Sequence, residues 1–125
     1  MSQPRALIIE DDDPIRNLLS TIVRHQGLSV DTACDGVEAI ENLDHDGYSV
    51  VVLDLMMPRV DGYAVLAHMR EHQPELISRT ILATAVPQHD LDRNLKDPVY
   101  MIHSKPFDMQ QLIADVRHCA QLGAA

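Results

Sequence analysis

Apolar residues in this chain fall into two arrangements that alternate along its length: short unbroken runs, and longer stretches in which they return every three or four positions. The first run, Ala6, Leu7, Ile8 and Ile9, stops at Glu10, Asp11, Asp12 and Asp13 and reads as a strand ending in carboxylates. Beyond it, Ile15, Leu18, Leu19, Ile22 and Val23 keep the spacing of one helical face, with Asp13 as its cap, Pro14 as a tolerated first-turn proline and Gly27 as its stop. Residues 28–33 read as a second strand, with Val30 its clearest strand former. A short helix carrying Val37, Ile40 and Leu43 follows Gly36 and closes at His45, Asp46 and Gly47.

The third run, Val50, Val51, Val52 and Leu53, is mostly β-branched and does not alternate with polar residues. That is the pattern of a strand buried on both faces of a parallel sheet. Asp54 ends the run, and Pro58, Asp61 and Gly62 supply turn chemistry. Val65, Leu66 and Met69 mark a third helix running to Gln73, ahead of Pro74, and residues 81–84 supply a fourth strand. Between Val86 and Pro98 only Leu91 and Leu95 stand at helical spacing, which predicts a short helix over 90–96. Residues 99–103 form a fifth strand, and Met109, Leu112, Ile113, Val116 and Ala120 define a last helix ending near Gly123.

Strand and helix thus alternate five times, (βα)5, which implies an α/β fold with a parallel sheet covered by helices on both faces and joined by right-handed crossovers. For five strands the doubly wound, flavodoxin-like order 2-1-3-4-5 is the natural solution, with its switch point between strands one and three. Ligand sites of such sheets lie at the carboxyl ends of the strands. Glu10, Asp11 and Asp54 would therefore meet in one crevice.

Composition narrows the possibilities. A length of 125 residues with 46% apolar content suits one domain, 1–125, with a real core. Nineteen acidic against ten basic residues give a net charge of −9, which leaves no electrostatic footprint for nucleic acid or an anionic membrane and favours a cation or a basic partner surface. Cys34 and Cys119 are far apart and have no metal-knuckle spacing, so free thiols in a reducing compartment are expected. No apolar run is long enough for a secretory leader or a membrane span, and a cytoplasmic location is expected.

Three carboxylates at a dry sheet edge repel one another unless a cation intervenes. Their oxygens suit Mg²⁺, Mn²⁺ or Ca²⁺ rather than zinc. The ends of strands four and five add the Thr84 hydroxyl and the Lys105 ammonium, both partners for anionic oxygen. Carboxylates, metal, hydroxyl and ammonium together make a site for a phosphoryl group, with Asp54 available as the nucleophile for an aspartyl phosphate. Neither GxGxxG nor GxxxxGK[ST] occurs, so the phosphoryl group is expected on the protein rather than on a bound nucleotide. Singly, the acids read as a solvated cap cluster, Asp54 as a turn residue, Thr84 as an ordinary strand residue and Lys105 as an exposed strand end. Their joint occurrence at four strand ends outweighs those readings.

The motifs IIEDD at strand one, VVLDLMMPRVDG at strand three, Thr84-Ala85 at strand four and Lys105-Pro106-Phe107 after strand five resemble the receiver domain of two-component response regulators over nearly the whole chain. The resemblance implies that Asp54 is the phosphoacceptor, that Glu10 and Asp11 hold Mg²⁺ (Mn²⁺ being possible) with the Met56 carbonyl completing the protein ligands, and that Thr84 and Lys105 contact the phosphoryl oxygens. It also implies a cis Lys105-Pro106 peptide, and phosphate supplied by a histidine kinase, a phosphotransfer protein or a small phosphodonor. Phosphorylation would then change binding to a downstream protein. On this reading the chain is no enzyme, although it assists its own phosphorylation and dephosphorylation.

Two features depart from the family pattern. Ile102 stands where the family usually has the aromatic residue of a Thr-aromatic switch, with Tyr100 two residues earlier and expected on the same strand face; either Tyr100 substitutes or that coupling is absent. Asp97-Pro98 replaces the common Ala-Gly before strand five, which predicts a short or irregular helix there and a changed α-β-α dimer face. Met56 and Val86, each two residues after a site residue, would hinder an attacking water and predict slow autodephosphorylation.

Three rival readings have sequence support. His68 to His72 matches HxxEH, a zinc-protease pattern. An aspartate-nucleophile phosphatase would need a second Asp where Met56 stands. A degenerate receiver would keep the fold as an unphosphorylated binding module. The last helix finishes as the chain ends, so no output domain is expected, whether the receiver stands alone or belongs to a longer protein.

Overall fold

In the computed structural model, which describes residues 3–57 and 59–124, the unbroken apolar runs pair as one five-stranded sheet, every neighbouring pair parallel. The elements are β1 (Arg5–Ile9), α1 (Asp13–His25), β2 (Ser29–Ala33), α2 (Gly36–His45), β3 (Val50–Leu53), α3 (Gly62–His72), α4 (Pro74–Ile77), β4 (Thr80–Thr84), α5 (Gln88–Asn94), β5 (Met101–Ser104) and α6 (Met109–Ala124). The sheet order is β2-β1-β3-β4-β5, the predicted doubly wound order. Pro58, placed by the sequence in the turn after β3, lies outside the described residues.

Burial explains why the central strands read as continuous apolar runs. Leu7, Ile9, Val51, Leu53 and Leu82 pack with Ala39, Leu43, Val65, Leu66 and Met69 from α2 and α3. Their neighbours Ala6, Ile8, Val50, Val52, Ile81 and Ala83 pack on the other face with Leu19, Val23, Leu112, Val116 and Cys119 from α1 and α6. Because successive side chains point to opposite faces and both faces are covered, the inner strands β1, β3 and β4 carry apolar residues throughout their middles, and the buried threonines of β4, Thr80 and Thr84, stand at its two ends. Cys34 and Cys119 are both free thiols. Among the described residues no helix is long and apolar enough to cross a membrane.

Several local expectations need correction. The cap of α1 is Asp12, whose carboxylate accepts the Ile15 N–H at 2.9 Å, while Asp13 is the first helical residue and pairs with Arg16. Leu18 is 51% exposed, because the buried stripe of α1 centres on Leu19 and Val23 and leaves Leu18 on its margin. The third helix stops at His72, and the chain resumes at Pro74 as the separate turn α4, which buries Leu76 and Ile77. Pro74 has no N–H to extend α3 and is tolerated as the first residue of a new helix.

The helix after β4 lies two residues earlier than 90–96. It starts directly after Pro87 and ends at Asn94, where Leu95 turns extended (φ −88°, ψ 116°). Beyond it, Asp97 is gripped by Arg70 of α3 through two hydrogen bonds of 2.8 Å, a tertiary contact that local spacing does not announce. The fifth strand consequently begins at Met101 rather than Val99.

Candidate functional site

The strand register brings the candidate residues to one edge. Ile9 pairs with Leu53, Leu53 with Leu82, and Thr84 with Ser104, so the residues that follow each strand emerge side by side. The ladder continues one step beyond the strands: Glu10 N–H donates to the Ala33 carbonyl (3.0 Å), Asp54 N–H to that of Ile9 (3.0 Å) and Lys105 N–H to that of Thr84 (2.9 Å). These bonds fix the main chain of the acids and the lysine as firmly as that of the sheet.

Glu10 and Asp54 are buried, at 1% and 5% exposure, whereas Asp11 is exposed. One oxygen from each of the three lies within 4.8 Å of the others. Lys105 Nζ stands 2.6 Å from Glu10 Oε1 and 3.2 Å from Asp54 Oδ2. The second oxygen of each buried acid takes a main-chain N–H, Asp12 on Glu10 Oε2 (3.2 Å) and Met56 on Asp54 Oδ1 (3.1 Å). The Lys105-Pro106 peptide is cis.

Burial pushes the Glu10 carboxyl up to about 7, although the Lys105 ammonium and the Asp12 N–H both pull it down. Burial also disfavours the charged form of Lys105, yet the bond to Glu10 and the charge of Asp54 outweigh it and hold its pKa above the ordinary lysine value. A single ammonium thus balances two buried acids, with Asp11 beside them. The donors are all oxygens and gather from two strand ends, which fits a hard divalent cation such as Mg²⁺.

Thr84 is fully buried at the end of β4, where its hydroxyl oxygen accepts the Val86 N–H at 3.3 Å. Met56 is 60% exposed beside Asp54, and Val86 is 9% exposed. Ile102 packs against the core on the α2/α3 side, but Tyr100 packs on the opposite side and stacks on His118 of α6, ring centroids 5.5 Å apart. The expectation that the two share a strand face is therefore wrong. Tyr100 lies in the bend before β5, where strict alternation has not yet begun.

The turn after Asp54 is shaped by contacts that residue type alone did not reveal. A Cβ on Gly62 would stand 2.5 Å from Leu55 Cα and 2.6 Å from the Asp54 carbonyl oxygen, so only glycine lets the start of α3 close over the turn that follows β3. Arg59 takes a left-handed backbone (φ 64°) and reaches Asp35, the cap of α2, at 2.6 Å. Tyr63 lines a shallow cleft of about 450 Å³ with Asp11, Leu55, Met56, Met57 and Asp61. Its hydroxyl is buried without a hydrogen-bond partner among the described residues.

Arg16 was also missed by sequence reasoning. Its guanidinium donates to the Glu10 carbonyl (3.0 Å) and pairs with Asp13, bracing the turn that carries Glu10 and Asp11. The spacing of three from Asp13 was the available signal. His68 and His72 of the HxxEH match lie on the last turns of α3, about 9–15 Å along the helix from Gly62 at 1.5 Å per residue, so they take no part in this edge.

A model of the response regulator receiver domain matches residues 6–117. The transcriptional regulatory protein TrcR of Mycobacterium tuberculosis is 34% identical over 115 residues, covering 90% of this chain and 44% of that protein. The chain spans about half the length of the curated relatives it matches. Among solved structures, the receiver domain of Francisella response regulator 1452 superposes with a TM-score of 0.84 at 28% identity, covering 95% of this chain and 98% of that one. The receiver domain of the sensor histidine kinase PA1611 from Pseudomonas aeruginosa PAO1, described with a magnesium ion coordinated in its active site cleft, shares the fold with a TM-score of 0.84 at 21% identity, covering 96% and 99% of the two chains.

Proposed function

Because the chain belongs to the response regulator receiver domain family, a phosphorylation-based module of two-component signalling, we propose that Asp54 is its phosphoacceptor. The observation that carries this reading is the placement of a buried Asp54 3.2 Å from Lys105 Nζ and within 4.8 Å of the oxygens of Glu10 and Asp11. In the transfer, an Asp54 carboxylate oxygen attacks phosphorus and forms the O–P bond. The N–P bond of a phosphohistidine donor breaks, and its electron pair returns to the imidazole nitrogen, which takes up a proton.

Glu10, Asp11, Asp54 and the Met56 carbonyl would hold Mg²⁺, with Mn²⁺ able to replace it. When bound, the cation neutralises charge on the phosphoryl oxygens and on the crowded acids. Lys105, already shared between Glu10 and Asp54, can transfer its ammonium to a phosphoryl oxygen without leaving the site, and the Thr84 hydroxyl donates to another. Losing the Thr84 oxygen would release the Val86 N–H, which now depends on it at 3.3 Å. The signal then passes through the segment between β4 and α5 and through Ile102, not through a rotating aromatic residue. Tyr100 has no part in it.

The rest of the reading follows from family and charge. Residues 1–125 act as one receiver domain, located in the cytoplasm. Phosphate comes from a histidine kinase or phosphotransfer protein, and a downstream protein reads the phosphorylated state. Nucleic acid and membrane are not partners of this part, and the chain assists only its own phosphorylation and dephosphorylation, turning over no other substrate. Apolar Met56, two residues after Asp54, and apolar Val86, two residues after Thr84, support a long-lived phosphate; a half-life of seconds in a single-turnover assay with Mg²⁺ would count against this.

Beryllofluoride with Mg²⁺, followed by fluorine NMR, tests the proposal. Saturable binding by the native chain and none by Asp54→Asn is the expected result. No binding by the folded native chain would favour the unphosphorylated binding module instead.

A further inference from the structure

Tyr63 carries the one buried side-chain hydroxyl that lacks a hydrogen-bond partner among the described residues. Its half-buried ring packs against the core on the α2/α3 side and lines the cleft with Leu55, Met56 and Met57. A hydroxyl taken from water and left unpaired costs stability that a phenylalanine at the same place would not. An oxygen that is only a cost in one state of the chain points to a use in another. With Asp54 as the phosphoacceptor, the reading on which this rests, we propose that Tyr63 is a positioning residue: its hydroxyl, unpaired in the resting chain, accepts one of the main-chain N–H groups that phosphorylation sets free and so favours the phosphorylated conformation.

Two N–H groups depend on the side chains that phosphorylation alters. Met56 N–H donates to Asp54 Oδ1 at 3.1 Å, and an esterified carboxyl is a weaker acceptor than a carboxylate. Val86 N–H donates to the Thr84 hydroxyl oxygen at 3.3 Å and loses it when Thr84 turns to a phosphoryl oxygen. Met56 lines the Tyr63 cleft, and Val86 belongs to the core cluster against which the Tyr63 ring packs. Burial first, and then the charges of Asp61 before α3 and Asp90 on α5, push the phenol pKa up, so the hydroxyl feels both the acceptor turn and the start of α5 and stays protonated.

The mount of Tyr63 is firm. Asp61 caps α3 through the Ala64 N–H at 3.0 Å, and Gly62 N–H donates to the Leu55 carbonyl at 3.0 Å. The hydroxyl therefore keeps its place while the segments after Asp54 and Thr84 rearrange toward it. Removing the oxygen relieves a cost in the resting chain and deletes a bond in the phosphorylated one, and both changes favour the resting state. A hydroxyl unpaired in both states would shift them equally and leave the balance untouched.

Native chain, Tyr63→Phe and Tyr100→Phe are each titrated with beryllofluoride in Mg²⁺ and followed by fluorine NMR, and each is unfolded in urea without beryllofluoride. Tyr63→Phe should bind the phosphoryl mimic about tenfold more weakly than the native chain, with a urea midpoint unchanged or higher. Tyr100→Phe removes the same atom on the opposite side of the sheet and should bind as the native chain does. Equal affinity in Tyr63→Phe and the native chain would overturn the proposal and leave Asp54 as the phosphoacceptor. So would an equal loss in Tyr100→Phe, or a lowered urea midpoint in Tyr63→Phe, which would show that the hydroxyl is already paired at rest. A native chain that binds no beryllofluoride overturns the phosphoacceptor reading and this proposal together.

Discussion

In metal-free solution the protein should lose stability as the pH rises from about 5 to about 8, and Glu10 should be the cause. Its side chain is buried at 1% exposure, and burial carries its carboxyl to about 7 from an ordinary 4.5 despite the Lys105 ammonium and the Asp12 N–H. Between those two values the native state keeps a proton that the unfolded chain has released. A state that binds more protons is disfavoured as pH rises, so the contribution is fully present below the unfolded value and disappears as pH climbs through the folded one. At about 1.4 kcal/mol per pH unit the gap amounts to roughly 3 kcal/mol, a large part of the 5–15 kcal/mol that holds a typical domain. Urea unfolding followed by circular dichroism, in EDTA and across that range, measures it. Glu10→Gln keeps the shape of the side chain and removes its titration, so its curve should be flatter by that amount. Saturating Mg²⁺ should flatten the native curve as well, because a bound cation favours the carboxylate. A native curve that is flat or rising in EDTA, or an undiminished slope in Glu10→Gln, would refute the reasoning.

Three further outcomes follow from named contacts. Gly62→Ala should cost about 2 kcal/mol or more in urea unfolding and impair phosphorylation, since the new methyl meets main-chain atoms at 2.5 and 2.6 Å that no rotamer change can move; a loss below about 0.5 kcal/mol would mean the turn is looser than it stands. Tyr63→Phe should leave stability unchanged or raise it by up to about 1 kcal/mol, because the hydroxyl is buried without a partner among the described residues, and a clear loss would show that it has one. Burial opposes ionisation of Asp31, but its bonds to Arg5 (2.5 Å) and Tyr48 (2.8 Å) hold its pKa below the ordinary value, so its stabilisation is present above that value and is lost as pH falls through the lowered one. Asp31→Asn should therefore destabilise by about 1 kcal/mol at neutral pH, with the difference shrinking in acid; a difference that grows in acid would contradict this.

The fold was legible where one residue pattern has one structural solution. Val50 to Leu53 could be only a strand covered on both faces, and carboxylates directly after two such strands had to meet once the order placed β1 beside β3. Boundaries set by competing local options were less legible. Asp12 and Asp13 are equally good caps by type, and Asp12 prevails because its carboxylate reaches the Ile15 N–H. Leu18 satisfies a helical spacing, yet the sheet is met by Leu19 and Val23, and a spacing does not say which edge of the stripe faces the core. Contacts between distant segments were illegible. Arg70 with Asp97, Arg59 with Asp35 and the turn of Tyr100 toward His118 depend on how loops close, which no local period encodes.

The most direct test of the central claim is to incubate the chain with acetyl phosphate and Mg²⁺ and to locate any added phosphoryl group by mass spectrometry. One group per chain, on Asp54, absent in Asp54→Asn and absent when EDTA replaces Mg²⁺, is the predicted result. A folded native chain that takes no phosphoryl group, or one modified equally in Asp54→Asn, would contradict it.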